Sequence, residues 1–198
     1  MKQERLSKVV LASRSPQRRA LLEALGVDIE VAEPMIEELT EGDPREIVLE
    51  NARWKAAAVA ATTKPGTLVV GGDTEVVLDG EALGQPEDAE QARAMLERLS
   101  GREHEVLGGL ALLGPEEEEE GTPRTREGIA ASAVRFRPLG AELIAACIAT
   151  GEWEGRAGAY AIQGVGSMLV EQVSGDLSNV IGLPIPLLLE LEPRFQSV

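Results

Sequence analysis

The first segment that could do chemistry is a loop rich in hydroxyl groups that leads into a predicted helix. Ser13 and Ser15 lie in this loop, Pro16 follows the serine that would cap the helix, and Arg18 lies one turn into the helix. Backbone amides at a helix N-terminus bind anions, and the two hydroxyls and the guanidinium add hydrogen-bond donors nearby. The segment therefore indicates either a phosphate-binding loop or simply a capped surface helix with an exposed arginine.

The second candidate segment is Gly71-Gly72-Asp73-Thr74, which ends a predicted apolar strand over residues 68–71. Open α/β sheets place their ligands at the ends of strands, and glycines let a substrate approach the backbone closely. Asp73 in that position could hold a divalent cation or orient a water molecule. The alternative is an aspartate that only caps the following turn.

Three further positions are candidates on weaker grounds. Lys55 lies among small residues on a predicted long helix, where it is either a functional cation or an ordinary exposed lysine. Glu37 and Glu38 precede that helix, and although such acids are usually solvated, they could complete a metal site. Gln163 can present its amide to a base edge as donor and acceptor together, or it can be a hydrogen-bonded loop residue.

These donors, acids and amide together suit a small triphosphate ligand held by a divalent cation. The chain of 198 residues has one Cys and one His, so it cannot form an internal disulfide or a metal site with two histidines. It also lacks the parts for Ser-His-Asp, thiol or His–zinc catalysis. The composition therefore leaves metal-assisted phosphate chemistry as the favoured class.

The charge of the chain limits its partners. The formal net charge is -15, so phosphates are repelled by the general surface, which argues against nucleic acid polymers and membranes as partners. Residues 1–20 nevertheless hold six basic groups and one acidic group, which indicates a local anion site or ordinary variation at a terminus. No run approaches the roughly 20 apolar residues of a membrane span, and no signal-peptide core is present. A cytoplasmic protein is therefore expected.

The elements that must position these residues alternate between strand and helix, which predicts one α/β domain over residues 1–198 with some antiparallel hairpins. Predicted strands cover residues 8–12, 27–31, 68–71, 76–78, 81–83, 104–113, 129–136 and 167–173. Predicted helices begin near Pro16, Asp43, Glu87, Leu139 and Pro184. Residues 151–166 and 175–182 are predicted loops, and the five glutamates at 116–120 a solvated loop.

Five segments, in this order, resemble the Maf family of nucleoside triphosphate pyrophosphatases. They are Leu-Ala-Ser-Arg-Ser-Pro-Gln-Arg-Arg at 11–19, Gly-Asp-Thr at 72–74, Leu-Ser-Gly-Arg-Glu-His-Glu-Val at 99–106, Gly-Ala-Tyr-Ala-Ile-Gln-Gly at 158–164 and Val-Ile-Gly-Leu-Pro at 180–184. The resemblance implies a two-lobed mixed sheet with flanking helices and a central cleft, similar to the inosine-triphosphate pyrophosphatase fold. It further implies hydrolysis of a triphosphate to a monophosphate and pyrophosphate with Mg²⁺ or Mn²⁺, often in a homodimer.

The resemblance also implies a role for each candidate residue. Asp73 would be the catalytic residue, and Glu38 and Asp73 would hold the metal ion. The implied phosphate-binding residues are Ser13, Ser15, Arg18 and Lys55. The implied substrate-choice residues are Gln17, Thr74 and Gln163. Thr74 and Gln163 resemble the branch that hydrolyses dTTP and UTP rather than the branch acting on 7-methyl-GTP, whereas Gln17 departs from both.

The chain departs from the family pattern in two further places. Gln85 stands where the family has a lysine. Gly155-Arg156 stands where the family has Asp-Lys. Arg156 keeps the positive charge of that lysine, and only Glu154 could replace the aspartate. A first rival function is therefore a weakly catalytic or non-catalytic nucleotide-binding regulator of cell division, favoured by Gln85. A second is a house-cleaning hydrolase of non-canonical purine triphosphates such as ITP.

Overall fold

A computed structural model describes residue 6 and residues 8–116 and 123–196 of the chain. The predictions for part of the basic cluster, including Lys2 and Arg5, and for the glutamates at 117–120 concern residues outside these ranges. In the described part of the chain, no helix is both long enough and apolar enough to cross a membrane.

The described residues form seven strands and six α-helices, joined by loops and short 3₁₀ turns. The strands are β1 (Val9–Ala12), β2 (Ile29–Ala32), β3 (Leu68–Leu78), β4 (Glu81–Ala82), β5 (Glu103–Glu116), β6 (Pro123–Phe136) and β7 (Val170–Ser174). The helices are α1 (Pro16–Glu23), α2 (Pro44–Ala60), α3 (Ala89–Leu99), α4 (Ala141–Ala149), α5 (Leu177–Ile181) and α6 (Ile185–Leu191).

All seven strands belong to one mixed sheet in the order β2-β1-β3-β5-β6-β7, with β4 paired to β3. β1 runs parallel to both β2 and β3. The pairs β3–β5, β5–β6 and β6–β7 are antiparallel. The predicted mixed α/β sheet with flanking helices is confirmed.

The predicted helix starts follow from their capping residues. The Ser15 side chain accepts a hydrogen bond from the Arg18 amide at the start of α1. Asp43 accepts one from the Arg45 amide at the start of α2, with a distance of 2.8 Å. These side chains satisfy amides that the helix itself leaves without a partner, which fixes where each helix begins.

The two faces of the sheet are covered differently. α2 covers one face, the α2 face, where Ala52 and Ala56 pack fully buried against β1, β3 and β5. The opposite face, the cleft face, carries two separate apolar clusters. One cluster contains Leu22 of α1 and Leu188 of α6, and the other contains Leu96 of α3 and parts of α4. The apolar core thus consists of two clusters on the cleft face, while α2 packs against the opposite face.

Several predicted element boundaries are wrong, and two of these elements carry residues of the candidate site. Asp73 was predicted to follow a strand that ends at Gly71, but β3 continues to Leu78, because its backbone pairs with β5 from Val69 to Val77. Pairing along a neighbouring strand outweighs the low strand propensity of the two glycines. Residues 175–182 were predicted as a loop, but they contain the short helix α5, which Asp176 caps at the Ser178 amide.

Candidate active site

A cleft of about 550 Å³ opens beside β3, at the point where β1 no longer pairs with it. β1 pairs with β3 only as far as Gly71, so the next residues of β3 border open space on that side. Side chains alternate between the two faces of a strand, so Asp73 points to the α2 face and Thr74 to the cleft face. Both line the cleft, which therefore wraps around this strand edge and takes residues from both faces of the sheet.

Two glycines explain how α2 reaches Asp73. A Cβ atom on Gly71 would lie 2.3 Å from the Ala52 carbonyl oxygen, and one on Gly109 would lie 2.0 Å from the Val48 carbonyl oxygen. No real side chain fits at such distances, so only glycine lets the helix backbone lie against β3 and β5 there. Gly109 is also the β5 residue paired with Asp73, which places the helix directly over the acid.

Asp73 lies at the centre of a buried polar network that α2 supplies. The Lys55 ammonium donates to Asp73 Oδ1 at 2.7 Å, and the Asn51 side-chain amide donates to Asp73 Oδ2 at 3.1 Å. Only 6% of Asp73, 5% of Lys55 and 1% of Asn51 is exposed. The alternatives of a turn-capping aspartate and an exposed lysine are therefore wrong, because both side chains are buried and bonded to each other.

The same network fixes the loop that carries Glu38. The Lys55 ammonium forms a second ion pair with Glu38 Oε2 at 2.8 Å. Asn51 exchanges two hydrogen bonds with the Leu39 backbone, accepting at 2.8 Å and donating at 3.0 Å. Asn51 therefore holds both the loop and Asp73. Sequence analysis missed Asn51, although it precedes Lys55 by one helical turn and so must share its face.

Glu38 and Asp73 fit the chemistry of a divalent cation site. Their carboxylate oxygens are the donors that Mg²⁺ prefers, and the shared Lys55 ammonium keeps the two groups close together. Within residues 8–116 and 123–196, no group of three or more His, Cys, Asp or Glu side chains is arranged to hold a metal ion. A cation bound here would thus take further ligands from water and substrate phosphates, as Mg²⁺ commonly does.

Arg18 reaches the cleft from α1 and joins three segments of the chain. Its Nε donates to the Gly182 carbonyl at 2.8 Å, one terminal nitrogen donates to Ser13 Oγ at 3.2 Å, and the other donates to Thr74 Oγ1 at 2.9 Å. Burial lowers the pKa of Arg18, whereas the charge of nearby Asp73 opposes this effect. The guanidinium remains a cation in proteins, so it brings positive charge to the cleft, and no carboxylate of the described residues is bonded to it.

The hydroxyl groups of the first loop bond to one another. Ser13 Oγ accepts from the Ser15 amide at 3.1 Å, and Ser15 Oγ donates to Gln17 Oε1 at 3.1 Å. Ser13 is 4% exposed, while Ser15 and Gln17 are partly exposed. All three residues line the cleft, so the structure brings the predicted phosphate loop to the same cavity as Asp73.

The remaining predicted positions also reach the cleft. Gln163 is exposed on its wall, and Gln85, Glu154 and Arg156 lie along the same cavity. A Cβ atom on Gly155 would lie 4.0 Å from Gln85 Oε1, so the two segments that depart from the family pattern are neighbours. The structure therefore assembles every residue to which the family resemblance gives a role around one cavity, whereas Glu37, the other acid that could have completed a metal site, does not line it.

Glu75 is a second residue that sequence analysis missed. It lies two positions after Asp73 on β3, and strand alternation places it on the same face. Burial, with a further contribution from the charge of Asp73, raises the pKa of Glu75 to about 7. Its Oε2 atom is buried and has no hydrogen-bond partner among the residues that the structure describes. Glu75 thus belongs to the acidic surroundings of Asp73.

Known proteins resemble this chain over most of its length. A dTTP/UTP pyrophosphatase of Anaeromyxobacter sp. (strain Fw109-5) is 48% identical over 94% of this chain and 89% of its own length. A dTTP/UTP pyrophosphatase of Pyrococcus horikoshii is 42% identical over 92% of this chain and 94% of its own length. The crystal structure of a nucleoside-triphosphatase / dITP/XTP pyrophosphatase from Mycobacterium abscessus is 22% identical, with a TM-score of 0.43, over 68% of this chain and 76% of that one. The sequence model of the Maf family, described as Maf-like protein, matches residues 8–193, and the chain belongs to this family.

Proposed function

We propose that the protein is a nucleoside triphosphate pyrophosphatase that hydrolyses dTTP and UTP to the monophosphate and pyrophosphate. The observation that carries this proposal is the ion-paired group of Asp73, Lys55 and Glu38, in which Asp73 and Lys55 are buried, and which lines the same cleft as Arg18 of α1. Acids for a cation and donors for phosphate thus line a single cavity. The relatives named dTTP/UTP pyrophosphatase support the choice of substrate.

In the proposed reaction a water molecule attacks the α-phosphorus, and the bond to the bridging oxygen of the pyrophosphate breaks. Asp73 orients this water and accepts its proton. Lys55 and Asn51 each bond to one oxygen of Asp73, so the carboxylate is held in a single orientation. Glu38 and Asp73 would hold a divalent cation, which would supply positive charge to neutralise the leaving pyrophosphate.

The phosphate chain is proposed to bind at the first loop. Ser13, Ser15 and the first amides of α1 offer donors to phosphate oxygens. A guanidinium has five N–H donors, and Arg18 uses three of them on protein oxygens. The other two remain for phosphate, so Arg18 can bind substrate without leaving its present position.

The base is proposed to be read mainly by Gln163. Thr74 is the other residue that resembles the dTTP and UTP branch, but its hydroxyl accepts from Arg18 at 2.9 Å and lies 3.5 Å from the Gly182 carbonyl. The protein already uses that hydroxyl, whereas the exposed amide of Gln163 can both donate to and accept from a base edge. Thr74 would therefore act on substrate choice through the placement of Arg18.

Pyrophosphate release from a panel of dTTP, UTP, ITP and 7-methyl-GTP with Mg²⁺ or Mn²⁺ tests the proposed function. We expect fastest release from dTTP and UTP, and we expect Asp73→Asn to abolish release while the unfolding temperature shows a folded protein. Tight binding without product would favour the nucleotide-binding regulator, for which Gln85 in the cleft is the supporting observation. Preferred hydrolysis of ITP would favour the purine house-cleaning enzyme.

The homodimer and the cytoplasmic location stay predictions. Light scattering of the purified protein, with and without dTTP, measures the oligomeric state. A mass of one chain under both conditions would contradict the homodimer.

A further inference from the structure

The residues that line the cleft change from polar to apolar along the cleft face of the sheet. Thr74 of β3 pairs with Gly108 of β5 beside Arg18, and the next pair on the same face is Val76 with Val106. His104 lies two residues before Val106 on β5, so its side chain is on the same face. The cleft thus passes from the polar phosphate loop towards apolar residues near His104.

The apolar half of the cleft has one aromatic wall. Tyr160 is the only aromatic residue among the described residues that line the cleft. It precedes Gln163, the proposed reader of the base edge, on the same segment, and apolar neighbours such as Ile162 and Val180 line the same cavity. A nucleobase is a flat ring with apolar faces and polar edges, so this half of the cleft suits it, whereas the Arg18 half suits phosphates.

His104 holds the Tyr160 ring from the interior. The His104 Nε2 atom lies 2.8 Å from the Tyr160 hydroxyl oxygen, and the two rings meet edge to face with centroids 5.5 Å apart. Phe136 makes edge contacts with both rings, with centroid distances of 4.9 Å and 4.8 Å. His104 is 4% exposed and Phe136 is fully buried, so this three-ring group has little freedom to move.

Both polar members of this group are neutral near pH 7. Burial lowers the pKa of His104 to about 4, and burial raises the pKa of the Tyr160 hydroxyl. The hydrogen bond between them therefore orients the Tyr160 ring without placing a charge beside the apolar half of the cleft. His104 is also the only histidine of the chain, and the proposed chemistry does not use it.

We propose that His104 is a positioning residue that holds the Tyr160 ring as a wall of the nucleobase half of the cleft. The pair then strengthens binding of the base and leaves binding of the phosphates and the chemical step unchanged. This inference rests on the proposed function, because the phosphate half is assigned from that reaction.

The experiment compares His104→Leu, His104→Gln and Tyr160→Phe with the wild type. Leucine removes the hydrogen bond, glutamine can restore it with an amide near the Nε2 position, and phenylalanine removes only the hydroxyl. The readouts are kcat and KM for dTTP and the inhibition constant of inorganic tripolyphosphate, which has no base. Ile144→Val changes a buried residue of the same apolar cluster and serves as the matched packing control.

We expect His104→Leu and Tyr160→Phe each to raise KM for dTTP by roughly 3- to 10-fold, the factor of an oriented aromatic contact. We expect kcat and the inhibition constant of tripolyphosphate to change less than about twofold in both variants. His104→Gln should restore the wild-type KM. The double variant His104→Leu with Tyr160→Phe should have a KM no higher than that of either single variant. Ile144→Val should leave KM unchanged. A parallel rise of the tripolyphosphate constant, a fall of kcat alone, or a wild-type KM in Tyr160→Phe would overturn the inference.

A second measurement separates this inference from the proposed function. If the wild type releases no pyrophosphate from any triphosphate of the panel, the proposed function is wrong. Calorimetric binding of the triphosphate that binds best, compared with tripolyphosphate, then tests the pair without turnover. A selective loss of affinity for the nucleotide in Tyr160→Phe supports the inference, and an equal loss for both ligands overturns it.

Discussion

Lys55→Met is the substitution that tests the buried network most directly. The Lys55 ammonium lies 2.7 Å from Asp73 Oδ1 and 2.8 Å from Glu38 Oε2. Methionine has nearly the same length and no charge, so the substitution leaves the buried Asp73 carboxylate without its cation. Breaking a buried ion pair by removing one partner costs about 3–5 kcal/mol.

The cost should appear as a lower unfolding temperature in the presence of a chelator. In a domain of this size, 1 kcal/mol corresponds to about 2–4 °C, so a loss of about 3 kcal/mol predicts a decrease of about 6–12 °C. Mg²⁺ should then raise the unfolding temperature more in Lys55→Met than in the wild type. The reason is that the cation can supply the positive charge that the two carboxylates lose when Lys55 is replaced.

Two variants control this measurement. Glu38→Gln should cost less than about 1 kcal/mol, because the Glu38 side chain is 41% exposed and its pairing with Lys55 is screened by water. The double variant Lys55→Met with Asp73→Asn should cost less than the sum of the two single variants, since no unpaired buried charge remains. A folded Lys55→Met that loses less than about 1 kcal/mol and gains no extra stability from Mg²⁺ would refute the ion-pair reasoning.

Three further predictions concern other parts of the structure. Thr74→Val removes the acceptor of the Arg18 hydrogen bond and should raise KM for dTTP by roughly tenfold in steady-state assays, whereas Thr74→Ser keeps the hydroxyl and should stay near wild type. Gly109→Ala places a Cβ atom 2.0 Å from a carbonyl oxygen of α2, so we expect a loss of about 1–3 kcal/mol in urea unfolding together with lower activity, while Gly140→Ala, with open space around it, should change neither by much. Glu192 is buried, which alone would raise its pKa, but its hydrogen bonds to two arginines lower the pKa to about 2. Its contribution to stability should therefore be complete above pH 4.5 and decline towards pH 2. Glu192→Gln should weaken this dependence of the unfolding temperature on pH. An unchanged unfolding temperature profile below pH 4.5 in this variant would contradict the stabilising role of Glu192.

Local chemistry made much of the fold predictable from the sequence. Ser15 and Asp43 cap helices where expected, because the capping interaction involves residues only two or three positions apart. Gly26, three residues after the end of α1, adopts a positive φ of 68°, which other residues rarely adopt. Boundaries that depend on a distant partner were not predictable, and β3 passes through Asp73 because β5 pairs with it.

The candidate site was likewise predictable only in part from the sequence. The residue types at Ser15, Arg18 and Asp73 indicated phosphate and cation chemistry, since those groups have few other uses in combination. The spacing of Asn51 and Lys55 places them on one helix face, but the group that Asn51 binds, like the role of His104, depends on residues far away in the chain. Their functional meaning depends on what they touch.

The sequence by itself determined the class of chemistry, the family resemblance and the starts of the main helices. Only the tertiary structure decided that Lys55 is buried between Asp73 and Glu38 rather than exposed. The physical reason is the absence of side chains at Gly71 and Gly109, which lets α2 lie against the sheet. A close contact between a helix and two strands from distant parts of the chain depends on packing, and packing is settled only when all three elements are in place.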